Sequence, residues 1–176
     1  EIRAPLGTVA GVSGFQVHIG NTEINTPGDI ADVLVAMNPA ALKANKNWIK
    51  KGGTIIINSD SFAKKDLDKA GYENNPLEDG SFSGFNIIEA PIANLTQETL
   101  KESGLDGKSI RRAKNMFALG MVYWMFNRPM ERTKKFLQDK FESKPLVVES
   151  NIKVLHAGYN FANTIEALPS SYTVTK

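Results

Sequence analysis

Cysteine is absent from the 176 residues, and histidine is scarce, limited to His18 and His156. Without a thiol the chain forms no disulfide, no thiolate zinc site and no cysteine-ligated iron–sulfur cluster. The longest apolar run, residues 116–126, is far shorter than the roughly 20 residues needed to cross a bilayer, and no charged-then-apolar signal opens the chain. A soluble, intracellular and therefore cytoplasmic protein with no membrane contact is the expectation. Charge of one sign is also lacking: the net charge is +2, and the lysines are scattered rather than gathered in one arm. A nucleic-acid partner is not expected, because its footprint is a clustered basic face. No G-x-G-x-x-G occurs; Gly7, Gly11 and Gly14 have other spacings and precede a strand pattern.

What is present is a core. The chain is 41% hydrophobic, enough for one ordinary globular domain. Val12, Phe15, Val17 and Ile19 nearly alternate with Ser13, Gln16 and His18, the pattern of a half-buried strand. Residues 32–37 form a short apolar run, Asn38-Pro39 offers an N-cap with proline at the first helical position, and the spacing predicts helix over 40–51, stopped by Gly52-Gly53. Residues 54–58 read as a second strand, parallel to the first by a crossover, and 85–91 as a third beyond a polar loop over 70–84. Helices follow at 96–102, 108–126, 130–142 and from Pro145 onward. The 108–126 helix is apolar all round in its second half and so should be deeply covered, and Val148, Ile152, Leu155, Tyr159 and Ala162 mark the buried face of the last. These elements predict a three-layer, Rossmann-like α/β domain with a mostly parallel sheet and a helical C-terminal half.

Most chemical motifs reduce to ordinary structure. Gly11-Val12-Ser13-Gly14 lacks the second spacer of a nucleophile elbow, so Ser13 is not expected to be catalytic. Neither histidine has a second ligand at metal spacing, and no metal site is expected. Asn74-Asn75 and Asp79-Gly80 have the wrong order and spacing for a thiamine-diphosphate magnesium motif and read as a surface loop. Asn94-Leu95-Thr96 is an acceptor sequence for glycosylation in form only. The candidate binding residues are Asn38, Asn58 and Ser59, at strand ends where ligands of open parallel sheets sit, and Arg3, a guanidinium flanked by Pro5 and Gly7 that suits a phosphate or carboxylate. Taken singly, each has a plainer reading: Asn38 caps a helix, Ser59 opens a turn, Arg3 is solvated.

Residues 1–16 (EIRAPLGTVAGVSGFQ) resemble the start of the conserved middle of the gamma domain of 2-oxoacid:ferredoxin oxidoreductases, in the form with gamma and alpha fused. Thr26-Pro27-Gly28-Asp29, residues 31–38 and 114–120, and residues 151–166 with Ala157-Gly158-Tyr159-Asn160 resemble the same family in the same order. The resemblance implies a gamma domain over residues 1–165 and a linker over 166–176. It implies no catalytic residue here, and a contribution to coenzyme A binding with Arg3 and its loop facing the active-site side; Asn38, Asn58 and Ser59, chosen from the strand ends, are then candidate contacts to coenzyme A as cosubstrate. Thiamine diphosphate and iron–sulfur clusters are then expected in alpha and beta domains or subunits, with ferredoxin reached through the complex and 2-oxoglutarate as the favoured substrate. The family's first strand and Gly-rich loop would precede Glu1, and the alpha-domain Tyr-Pro-Ile-Thr-Pro motif would follow Lys176. The sequence begins at Glu1 rather than methionine and closes on a linker-like run, so both ends read as cut from a longer polypeptide, and a partner or a second copy is expected to cover the exposed edge. Two rivals remain: a stand-alone α/β nucleotide- or small-molecule-binding module, and an assembly domain without coenzyme A contacts.

Overall fold

The computed structural model describes residues 12–20, 22–26 and 28–166. The chain divides into two compact units, one up to Pro91 and one from Ile92 onward. The first is built on three parallel strands in the order β1 (Ala31–Ala36), β2 (Ile49–Asn58), β3 (Asn86–Ala90). Isoleucine at 55, 56 and 57 makes the central strand apolar on both sides, as a strand between two parallel neighbours requires, and all three are fully buried. One face of the sheet, with Leu34, Ala36, Ile55, Ile57 and Ile87, packs against Leu42 of α1 (Pro39–Asn45), Leu67 of α2 (Lys64–Lys69) and the aromatic residues Phe62, Phe82 and Phe85. The α/β class and the parallel sheet are as the sequence predicted.

Three local readings are corrected. The helix after Asn38 does not reach Lys51: it ends at Asn45, a 3-10 turn covers Lys46–Trp48, and β2 has begun by Ile49, whose side chain is buried in the core. Gly52 and Gly53 therefore stop no helix. They lie inside β2 where the register slips, the pairing moving from Ala31↔Ile49 to Val33↔Thr54 so that two steps on β1 meet five on β2. Gly52 takes a φ of +75°, and a Cβ on Gly53 would lie 2.9 Å from the Asp32 carbonyl oxygen, so both positions require glycine. The loop over 70–84 begins later than α2, a short helix that sequence reading missed. Residues 12–19, expected as a half-buried strand, form no strand ladder among the described residues, and Phe15 and Val17 are exposed.

The second unit is helical: α3 (Ile92–Leu100), α4 (Gly107–Met125), α5 (Glu131–Lys140) and α6 (Pro145–Thr164). Its centre is the crossing of α4 with α6. The buried residues of α6 are Ser150, Val154, Leu155, Gly158 and Ala162, so the inward face is rotated from the predicted one: Leu155 and Ala162 are buried, while Val148, Ile152 and Tyr159 are only partly so. Small residues hold the seam because the backbones nearly touch there. A Cβ on Gly120 would collide with the Leu155 carbonyl oxygen, and one on Gly158 with that of Phe117. The second half of α4 is likewise not covered all round: Phe117, Met121 and Met125 are buried, but Tyr123 and Trp124 are half-exposed and bond to Thr133 and Asn163.

Asp106 starts α4, accepting from the Lys108 and Ser109 backbone N–H groups at 2.8 and 3.1 Å and from the Ser109 hydroxyl at 2.6 Å. The Ser109 hydroxyl bond, and then the backbone bonds, hold its carboxyl below the ordinary 3.8. A depressed folded pKa gives stability that is complete above the unfolded value and is lost as pH falls through the folded one. Asp106→Asn keeps a capping acceptor but removes the titration. It is expected to match the parent near pH 7 and to lose less stability below about pH 4 in thermal melts over that range. A parallel pH dependence in the two proteins would contradict the assignment.

Candidate functional site at the carboxyl edge of the sheet

Because all three strands are parallel, their carboxyl ends lie on one edge, and the register brings Ala36 beside Ile57 and Asn58 beside Ala90. Asn38 and the pair Asn58-Ser59 leave β1 and β2 at this edge, so the structure brings together three of the four residues expected to bind a ligand. Arg3 lies outside the described residues. The edge is joined across the strands by Asn58, which is fully buried. Its Nδ2 donates to the Ser61 hydroxyl at 2.7 Å and more weakly to the Met37 carbonyl oxygen at 3.5 Å, immediately before Asn38.

Each side chain has a definable task. Asn38 accepts from the Ala41 N–H at 2.8 Å through its Oδ1, which satisfies a donor at the start of α1. That N–H is therefore not offered to a phosphate. Asn58 ties the exit of β2 to that of β1 through the Met37 carbonyl oxygen. Ser59 opens a 3-10 turn (Ser59–Ser61), is half-exposed, and receives the Phe62 N–H on its carbonyl oxygen at 3.1 Å. Ser61 was not anticipated, although Asn-x-x-Ser across a strand end is the spacing by which one turn closes on itself.

Elsewhere in this unit, Lys43 of α1 donates to the carbonyl oxygens of Ala70 and Gly71 at 3.0 and 2.6 Å and stands 5.0 Å from the Tyr72 ring centroid. It caps the end of α2, where a cation opposes the helix dipole. Burial, and secondarily the charge of Asp79, pushes the Tyr72 phenol above its ordinary value. Asp79 is held low by the Ser81 hydroxyl and backbone, consistent with a self-bonded turn. Within the second unit, α5 and α6 border an open groove of about 670 Å³ in which Lys153 is accompanied by Glu142 and Glu149, a poor setting for a polyanion. Among the described residues no three His, Asp or Glu side chains converge as metal ligands, and no helix is long and apolar enough to cross a membrane.

A parallel sheet with polar groups at its carboxyl edge is common to many functions, so comparison with known proteins decides the family. The profile of the pyruvate ferredoxin/flavodoxin oxidoreductase family matches residues 6–161. The chain belongs to this family. The resemblance that residues 1–16, 31–38 and 114–120 carry is borne out on that point. The 2-oxoglutarate oxidoreductase subunit KorA of Mycobacterium tuberculosis is 47% identical over 174 residues, which cover 99% of this chain and 27% of that protein. Among solved structures, a 2-oxoglutarate:ferredoxin oxidoreductase from Magnetococcus marinus, with 2-oxoglutarate, coenzyme A and succinyl-CoA bound, matches with a TM-score of 0.61 and 26% identity. That match covers 88% of this chain and 23% of the oxidoreductase chain. The chain thus spans about a quarter of the length of each of these family members.

Proposed function

We propose that this chain is the gamma part of a 2-oxoglutarate:ferredoxin oxidoreductase, a cytoplasmic enzyme in which it assists coenzyme A-dependent oxidative decarboxylation without being a catalyst alone. The observation that carries the reading is the 47% identity along 99% of the chain to a 2-oxoglutarate oxidoreductase subunit. The reaction converts a 2-oxoacid and coenzyme A to acyl-CoA, carbon dioxide and a proton, with two electrons passed to oxidised ferredoxin. Thiamine diphosphate supplies the decarboxylation chemistry and iron–sulfur clusters carry the electrons. A chain without cysteine has no thiolates for such clusters, so the clusters are assigned to the alpha and beta parts of the enzyme, and thiamine diphosphate is placed there with them on the family resemblance.

The role of this chain is to bind and orient. Coenzyme A is a polyanion with amide groups along its arm. Ser59 suits a neutral hydrogen bond to that arm, and Arg3 suits a bidentate contact with a phosphate. Asn38 and Asn58 hold the edge on which Ser59 stands, through the bonds to Ala41, Met37 and Ser61. Specificity for the 2-oxoacid is set elsewhere in the enzyme.

In the assembled oxidoreductase, Arg3→Ala is expected to raise the KM for coenzyme A about tenfold, the equivalent of about 1.4 kcal/mol and within the range for one charge-assisted contact. Ser59→Ala should raise it by a smaller factor, and neither should change the KM for 2-oxoglutarate. Steady-state reduction of ferredoxin at varied concentrations of each substrate measures both. Unchanged coenzyme A kinetics in the two variants would remove this edge from the site.

A further inference from the structure

The helix α4 carries a charge pattern that no other described helix shows. Its 19 residues hold four cations, Lys108, Arg111, Arg112 and Lys114, and no carboxylate. The acidic residue at its start, Asp106, is spent on the Lys108 and Ser109 N–H groups and the Ser109 hydroxyl. Elsewhere the two signs alternate and close on each other three or four positions apart: Lys64–Asp68 and Lys69–Asp66 on α2, Glu98–Lys101 at the end of α3, Lys135–Asp139 on α5. None of the four cations of α4 makes an ion pair, a side-chain hydrogen bond or a ring contact among the described residues.

By helix geometry Arg111, Asn115, Lys108 and Arg112 fall within an arc of about 100°, opposite the buried Ala113, Phe117 and Met121. All four residues of the arc are exposed, and Lys114 is half-buried at its border. The arrangement is unfavourable as it stands. Lys108 has like-charged neighbours one turn on, in Arg111 and Arg112. Arg111 leans back over the first turn, its Nη1 3.4 Å from where a Cβ on Gly107 would stand, so cations crowd the positive end of the helix dipole. A merely solvated face gains nothing from such crowding, whereas a face that meets anions does. Charge therefore names the chemistry of the cover. Consecutive arginines leave a helix about 100° apart, so the two guanidinium groups do not converge on one phosphate. They fit separate carboxylates, spread over the roughly 10 Å that residues 108–115 span.

We propose that this face of α4, through Lys108, Arg111 and Arg112, docks a carboxylate-rich protein surface supplied by the part of the oxidoreductase that these 176 residues do not span. The proposal rests on the family reading: the chain covers 27% of KorA and 23% of the solved oxidoreductase chain, so most of each remains to supply the carboxylates. A second copy of the chain does not fit through the same face, since a two-fold contact would set cation against cation. A mobile electron acceptor docks beside the iron–sulfur clusters, for which a chain without cysteine has no thiolates.

Carbodiimide coupling joins an amine directly to a carboxylate in contact with it. It tests the proposal on the assembled oxidoreductase, free of ferredoxin and coenzyme A, with the linked peptides read by mass spectrometry. The pairs Lys64–Asp68 and Lys135–Asp139, each at 3.2 Å, serve as internal standards. Lys108 is expected to couple to Asp or Glu outside these 176 residues. The double variant Arg111→Glu, Arg112→Glu should cut that coupling about tenfold, because attraction becomes repulsion. It leaves α4 folded, since both side chains are exposed and a carboxylate near the start of a helix favours it. An uncoupled Lys108 beside coupled standards overturns the proposal. So do links confined to carboxylates of the 176 residues, and coupling undiminished in the double variant. Acetylation of Lys108 that slows only when coenzyme A is added would assign the patch to its phosphates and overturn it as well. The coupling needs no turnover: Lys108 coupled with coenzyme A kinetics unchanged in Arg3→Ala and Ser59→Ala removes the sheet edge alone, and the reverse removes the patch alone.

Discussion

Replacing Gly158 by alanine is expected to destabilise the helical unit by about 3 kcal/mol, although alanine is the better helix former by about 1 kcal/mol. The two contributions oppose each other, and geometry decides. The added methyl group would overlap the Phe117 carbonyl oxygen and lie 2.7 and 2.9 Å from the carbonyl carbon and Cα of the same residue, all backbone atoms of α4 that cannot swing aside. Gly120→Ala meets the reciprocal obstacle, the Leu155 carbonyl oxygen and, at 2.8 Å, the Tyr159 nitrogen. Either change forces α4 and α6 apart and loosens the packing of Phe117, Met121, Val154 and Leu155, all essentially inaccessible. A thermal midpoint roughly 10 °C below the parent is expected in each case for a chain of this size. A midpoint at or above the parent's would show that helix propensity wins and that the helices cross at a greater separation.

Asn58→Asp should cost about 3 kcal/mol near neutral pH. The change replaces two donated hydrogen bonds with a carboxylate in a position with no solvent access, facing the Met37 carbonyl oxygen. The sign of its pH dependence follows. Burial raises the pKa of the introduced carboxyl in the folded state, so the penalty is full above that raised value and fades as pH falls through it toward the unfolded one. The variant should therefore recover toward the parent between neutral pH and about pH 4.5 in paired melts. Asn58→Ala, which loses the bonds without adding a charge, should cost about 2 kcal/mol with no such recovery. A pH-independent deficit in Asn58→Asp would mean that water reaches this edge of the sheet.

These two sites mark where sequence reading succeeded and where it stopped. The continuous apolar runs at 32–37 and 54–58, and the cap at Asn38-Pro39, were legible because a central parallel strand and a helix start each impose a local pattern. The end of α1 was not, since Gly52-Gly53 is the same signal whether it stops a helix or permits a slip in register. The choice was made by the need to bury Ile49 and to pair Thr54 with Val33, which is non-local. The inward face of α6 was misjudged for a related reason. Reading by apolar spacing favoured Val148, Ile152 and Tyr159 beside Leu155 and Ala162, whereas a close helix crossing selects the least bulk, and Ser150 and Gly158 carry no signal in a hydrophobic pattern.

At the candidate site, the choice of Asn38, Asn58 and Ser59 followed from one topological rule about parallel sheets, and the register places them on one edge. Their separate tasks needed coordinates: that Asn38 spends its oxygen on Ala41 and Asn58 its amide on Ser61 depends on turn geometry over three residues. The alternating pattern over 12–19 was read as a half-buried strand, and the structure forms no strand there and leaves Phe15, Val17 and Ile19 exposed. Alternation states that one side of a strand is apolar, and nothing in it says which molecule supplies the cover.

The central claim is that this chain completes an oxidoreductase and does not act alone. The most direct measurement is 2-oxoglutarate-dependent reduction of ferredoxin in the presence of coenzyme A, by the 176-residue chain alone and by the assembled enzyme that contains it. Reduction by the assembly only, with succinyl-CoA formed in step with reduced ferredoxin, is the expected result. Turnover by the isolated chain, or reduction by the assembly that does not depend on coenzyme A, would contradict the claim.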